Sequence, residues 1–127
     1  MDRGELIYKE LSYKICGLAF RIDNEIGYGH QEKVYGDALE ELLKIEKIAY
    51  KREVYVPIKI NEKLLAKKYY DFLIDDKIIV ELKIATHKYR DVCRQVFDYL
   101  KNSNLNLGII IRFTRDGVKI KRIPNYY

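Results

Sequence analysis

The chain has 127 residues, which predicts one domain over residues 1–127 with a single core. Apolar residues make up 48% and charged residues 34%, which excludes a disordered chain, and no apolar run approaches the roughly 18 residues of a membrane span. The formal charge of +5 leans mildly toward a polyanionic partner. The first residues, MDRGELIYKE, lack the apolar centre of a signal peptide, so a cytoplasmic location is expected. Cys16 and Cys93 lie far apart, form no disulfide or zinc pattern, and read as reduced, mostly buried thiols.

From Glu5 to Ile26, apolar residues at Ile7, Leu11, Ile15, Leu18, Ala19, Ile22 and Ile26 trace one helical stripe. Gly27-Tyr28-Gly29 breaks it. A second helix is predicted from about Gln31 to Lys47, with Val34, Tyr35, Ala38, Leu39, Leu42 and Leu43 inward and Glu40, Glu41, Lys44 and Lys47 in solvent. The period then changes to two. Val54, Val56, Ile58 and Ile60 alternate with Glu53, Tyr55, Pro57 and Lys59, a half-buried strand that Pro57 assigns to a sheet edge. Two more strands follow, Leu65 to Ile74 and Lys77 to Ile84, around a turn at Asp75-Asp76. Together the three predict an antiparallel meander. Tyr89 to about Asn102 returns to helical spacing through Val92, Val96, Tyr99 and Leu100. A buried strand from Leu107 to Phe113 turns at Arg115-Asp116-Gly117 into a last strand, Val118 to Ile123. The order is α-α-β-β-β-α-β-β, an α/β fold with helices packed on a mixed sheet.

One stretch breaks its local rule. Asp71, Glu81 and Lys83 stand in strands, where Asp, Glu and Lys are depleted. Glu81 and Lys83, two apart, share a strand face. If the hairpin pivots on Asp76, Asp71 pairs with Glu81; if Asp75-Asp76 is a two-residue turn, Asp71 pairs with Val80. Close carboxylates repel, which raises a pKa unless a cation intervenes. A hard divalent ion is such a cation, with oxygen ligands from one or two carboxylates and water. With a lysine beside it, the set suffices for phosphodiester hydrolysis. The alternative is a surface cross-strand pair of Glu81 with Lys83.

Asp71…Glu81-Leu82-Lys83 on adjacent strands resembles the core of the PD-(D/E)xK nuclease superfamily, with Tyr70 standing where the named proline would be. Gly29-His30-Gln31-Glu32-Lys33-Val34-Tyr35 spells G-x-x-E-x-x-Y, the signature of the GxxExxY family of PD-(D/E)xK-like proteins. Gln95-Val96-Phe97-Asp98-Tyr99 spells Q-x-x-x-Y, the motif that follows E-x-K in RecB-like nucleases. The likeness runs from about residue 5 to 122, in one order. It implies a restriction-endonuclease-like fold and a nuclease that hydrolyses phosphodiester bonds, in DNA by expectation, with Mg²⁺ or Mn²⁺ in its place. It implies Asp71 and Glu81 as metal-binding carboxylates, the Leu82 carbonyl as a third ligand and Lys83 as the catalytic lysine. Glu32 would reach the same site. Gln95 and Tyr99, one helical turn apart, would flank the cleft and touch phosphate or support Lys83.

Plainer readings stand beside these. Glu32 suits a helix N-terminus, Gln95 reads equally as a satisfied buried amide, and Tyr35 and Tyr99 read as packing residues with hydroxyls at the rim. His30 and His87 lack carboxylate partners nearby in sequence. Thr86-His87-Lys88-Tyr89-Arg90, with Arg94, reads as a phosphate-binding rim or a solvated helix start. Most of the twelve tyrosines are expected to pack. Two rival functions remain: a catalytically silent nucleic-acid-binding or interaction module, and a structural homodimer. A nuclease this small is expected to act with a second copy or a partner protein.

Overall fold

A computed structural model describes residues 7–84 and 89–125. The elements are α1 (Lys9–Ile26), α2 (Glu32–Ile45), β1 (Tyr50–Ile60), β2 (Lys63–Ile74), β3 (Ile78–Lys83), α3 (Tyr89–Ser103), β4 (Leu107–Thr114) and β5 (Gly117–Pro124). This is the predicted order. The expected helix start at Glu5, the histidine at 87 with Thr86 and Lys88, and Tyr126 and Tyr127 lie outside the described residues.

The five strands form one mixed sheet in the order β1-β2-β3-β4-β5. β1, β2 and β3 are the predicted antiparallel meander, and β4 pairs antiparallel with β5. β3 and β4 run parallel, and α3 makes the crossover that parallel pairing requires. β1 is an edge strand, as Pro57 required. β4 is covered on both faces, which explains its unbroken apolar run.

α1 and α2 bury Ile15, Leu18, Ala19, Ile22, Tyr35, Leu39, Leu42 and Leu43 against Phe72, Val80, Leu82, Ile109 and Phe113 on one face. α3 buries Val96 and Leu100 against Tyr70, Ile79, Ile110 and Ile123 on the other. Val34, expected inward, is exposed. α2 ends at Ile45, two residues short of prediction. Lys47 takes a left-handed φ of 57°, and the Ile48 and Lys47 amides bond the Leu43 and Lys44 carbonyls, which closes the helix. Cys16 and Cys93 are free and half-buried. Among the described residues no helix is long and apolar enough to cross a membrane.

The turn before α2 explains the G-x-x-E-x-x-Y spacing physically. Gly29 sits at φ 108°, which only glycine adopts without strain. Gln31 caps the helix in an extended conformation, so Glu32 opens its first turn. Tyr35, one turn on, is fully buried and stacks on Phe113 at 4.0 Å. Its hydroxyl donates to the Gly27 carbonyl at 2.6 Å and accepts from the His30 amide at 3.4 Å. That bond ties the loop, and so the start of α2, to the core. Tyr35→Phe is expected to lower stability by about 1 kcal/mol. A urea midpoint equal to the parent's would show that the hydroxyl holds nothing.

The β1–β2 ribbon departs from simple alternation. Tyr50 and Phe72 pack toward α1 and α2, whereas Val54 and Tyr70, each an even number of residues along the same strands, pack toward α3. The ribbon half-rolls between them. The roll sits where Glu53 has a left-handed φ of 55° and its pairing with Asp71 is missing, although Arg52↔Phe72 and Val54↔Tyr70 hold register on either side. Beyond the roll the ribbon runs past the core. Ile58 and Ile60, expected half-buried, are 41% and 64% exposed.

Candidate active site

The β2–β3 register is Phe72↔Val80, Leu73↔Ile79 and Ile74↔Ile78, so the hairpin pivots on Asp76 and the two-residue turn is excluded. Asp75 and Asp76 both take left-handed φ values to close it. Carried one step further, the register sets Asp71 opposite Glu81, but there the strands part. Their ladder hydrogen bonds are replaced by side chains. Glu81 Oε1 accepts the Asp71 amide at 2.7 Å, and Asp71 Oδ2 accepts the Leu82 amide at 2.7 Å. Each carboxylate thus satisfies a backbone donor that the fork would otherwise strand. The second oxygen of each, Asp71 Oδ1 and Glu81 Oε2, stays outside this clamp. Lys83 Nζ stands 3.9 Å from Glu81 Oε2.

These carboxylates are buried at a cost. Glu81 is 8% exposed. Burial first, and then the Asp71 charge, pushes its carboxyl up to about 8; the Asp71 amide and Lys83 pull the other way without cancelling the rise. Burial likewise raises Asp71, against the Leu82 amide and Lys83, and Glu32 raises it further. Loss of solvent therefore outweighs what Lys83 and the backbone amides give back.

Asp71 opens into a cleft of about 430 Å³ with Glu32, Asp37, Arg52, Glu53 and Leu82 in its wall. Glu32 is exposed at the start of α2, and its charge acts on half-buried Asp71 and on buried Glu81. Among the described residues no three Asp, Glu, His or Cys side chains converge as a ready cage for a metal. The donor set still fits a hard divalent cation. It offers two desolvated carboxylates, each with one oxygen held and one outside the clamp. Backbone oxygen and water complete such a shell.

Gln95 and Tyr99 line a different groove, between α3 and the β1–β2 ribbon, with Val56, Ile58, Lys68 and Tyr70. Gln95 is exposed, so it is not a buried amide. The link to the carboxylates is Tyr70. It is 6% exposed, packs its ring against Tyr99 at 4.5 Å with the planes tilted by 38°, and donates its hydroxyl to the Gln95 carbonyl at 3.1 Å. Its phenol is pushed up to about 12 by burial and by the Glu81 charge. Tyr70 therefore joins the Gln95–Tyr99 groove to the surroundings of Glu81, a role its place before Asp71 did not reveal.

Arg52 also escaped sequence reasoning. Its Nη1 donates to Asp37 Oδ1 at 2.7 Å and Glu40 Oε1 at 3.0 Å, and Glu40 Oε2 accepts from the Tyr50 hydroxyl at 2.7 Å. Glu40, expected in solvent, is thus engaged. The guanidinium lies against Gly36, where any Cβ would collide with it. Gly36 was the readable signal, since a glycine inside an apolar helix costs about 1 kcal/mol and points to close approach. This network holds α2, with Glu32 at its head, beside the β1–β2 edge.

A family model described as the PD-(D/E)XK nuclease superfamily matches residues 9–123. Among solved structures, the crystal structure of SSO0001 is similar over 74% of this chain and 50% of its own, at 22% identity and a TM-score of 0.57. That likeness is one of fold, and the chain spans half the length of that protein. No curated protein matches.

Proposed function

The chain belongs to the PD-(D/E)XK nuclease superfamily, and from that premise we propose that it is a Mg²⁺-dependent nuclease of the GxxExxY kind that hydrolyses phosphodiester bonds in DNA. Superfamily membership implies a nucleic-acid substrate, and nucleases of this superfamily generally use divalent metal ions. The observation that carries the reading is the reciprocal clamp of Asp71 and Glu81, with Lys83 Nζ 3.9 Å from the remaining Glu81 oxygen.

In this reading Asp71, Glu81 and the Leu82 carbonyl hold the ion, and Glu32 orients water from the head of α2. A divalent ion there supplies a Lewis acid for a phosphoryl oxygen and lowers the pKa of a bound water. Lys83 faces the charge that grows on the phosphate and offsets it. The low exposure of Glu81 strengthens every such interaction by keeping bulk water out. Gln95 and Tyr99, on the far side of Tyr70, contact the nucleic-acid backbone as it leaves the cleft. The protein acts in the cytoplasm, as a homodimer or with a partner protein.

Calorimetric titration tests this with Mg²⁺ and Mn²⁺. The parent protein binds one of them, and Asp71→Asn loses at least tenfold in affinity, because one anionic ligand becomes a neutral amide. Equal heats from both proteins would remove Asp71 from the metal site.

A further inference from the structure

We propose that the β1–β2 ribbon beyond Glu53 and Asp71 is a docking arm for single-stranded nucleic acid, with Tyr55 and Tyr69 as its stacking platform. The inference deepens the nuclease reading and rests on it for the identity of the cleft the arm would serve. Tyr55 and Tyr69 are cross-strand partners with rings 5.4 Å apart, and they are 47% and 59% exposed. Val54, Val56 and Tyr70 pack toward α3, so the alternate residues Tyr55 and Tyr69 look to the opposite side. That is the side of α2. Each tyrosine also stands two residues from a wall residue of the cleft, Glu53 or Asp71.

Charge selects the occupant. Lys59, Lys63 and Lys67 lie on the arm, with Lys68 on its α3 side beside Val56, against Glu62 as the single acid between Val54 and Tyr70. None of the four lysines is ion-paired among the described residues. The cleft beside them carries four acidic residues, Glu32, Asp37, Glu53 and Asp71, against the two basic residues Lys33 and Arg52. An acidic cation site next to a basic, aromatic arm matches a polyanion whose backbone follows the lysines while its bases lie on the rings. Stacking needs an open base face, which a duplex hides, so the arm selects unpaired strands. The apolar tip, Ile60, Leu64 and Leu65, adds contact area. A second copy of the chain is the competing occupant, but it would set like charges against each other.

The experiment is fluorescence anisotropy with a labelled mixed-sequence DNA strand and the same strand annealed to its complement, in EDTA so that no cleavage occurs. The parent is expected to bind the single strand at least tenfold tighter than the duplex. Tyr55→Ala with Tyr69→Ala is expected to weaken single-strand binding about tenfold or more, and Tyr55→Phe with Tyr69→Phe to retain it. Changing the four lysines to Ala is expected to lower the slope of log K against log salt by about two to three. Unchanged single-strand affinity in the alanine pair, equal duplex binding, or no binding by the parent overturns the arm. So does a dimer in light scattering that the alanine pair dissolves. Cleavage is scored separately with Mg²⁺ and Mn²⁺ on the parent. A parent that binds through the arm but cuts nothing leaves the arm standing and removes the nuclease reading. A parent that cuts without using the arm does the reverse.

Discussion

Glu81→Gln is expected to raise the thermal midpoint of the metal-free protein at pH 8 to 9 and to abolish divalent-metal binding at the same time. The sign follows from the fork. Glu81 is pushed from its ordinary 4.5 up to about 8, chiefly by burial and then by Asp71. Between those values the folded protein holds a proton that the unfolded chain has released. The stability this group contributes is complete below pH 4.5 and is lost as pH rises through about 8. Glutamine stays neutral throughout and can still accept the Asp71 amide. The variant should match the parent near pH 4 and exceed it at pH 8.5 by on the order of 2 kcal/mol, roughly 5 °C or more. Saturating Mg²⁺ should reverse the order, since only the parent gains binding energy on folding. Differential scanning calorimetry across pH, with and without Mg²⁺, decides it. A parent midpoint that is flat from pH 4 to 8.5 and equal to the variant's would mean the carboxylate bears no burden in the fork.

Lys83→Ala is expected to reduce cleavage of plasmid, linear and single-stranded DNA at least ~100-fold, in the range seen when one transition-state partner is removed. The side chain is half-buried at the end of β3 and supports no core contact, so circular dichroism should not change. Its loss withdraws the ammonium nearest Glu81 Oε2, so Glu81 should rise further and metal affinity should fall modestly at neutral pH. Lys83→Arg should restore little, because a planar fork does not occupy the place of a compact ammonium. Cleavage that survives Lys83→Ala at the parent rate would place the chemistry elsewhere or in a contaminant.

Much of the fold was legible because burial leaves a period in the chain. Steps of three and four from Leu11 to Ile22 and steps of two from Val54 identified element types, and Pro57 placed β1 at the edge. The Asp71-Glu81-Lys83 pattern was legible because charges inside strands contradict local preference. Other features left no such mark. The half-roll at Glu53 exposes Ile58 and Ile60 and turns Tyr70 onto α3, yet alternation reads the same before and after it. Glu40 carries the same letter whether it faces water or Arg52.

By itself the sequence determined which residues are helix, strand and turn, and which three charges stand out of place, since these follow from spacing along the chain. Only the tertiary structure decided that β2 and β3 part at Asp71, that two carboxylates take over the missing ladder bonds, and that Gln95 and Tyr99 line a separate groove with Tyr70. Those outcomes depend on twist and packing accumulated over neighbouring strands. Distance in space after a half-roll cannot be counted in residues.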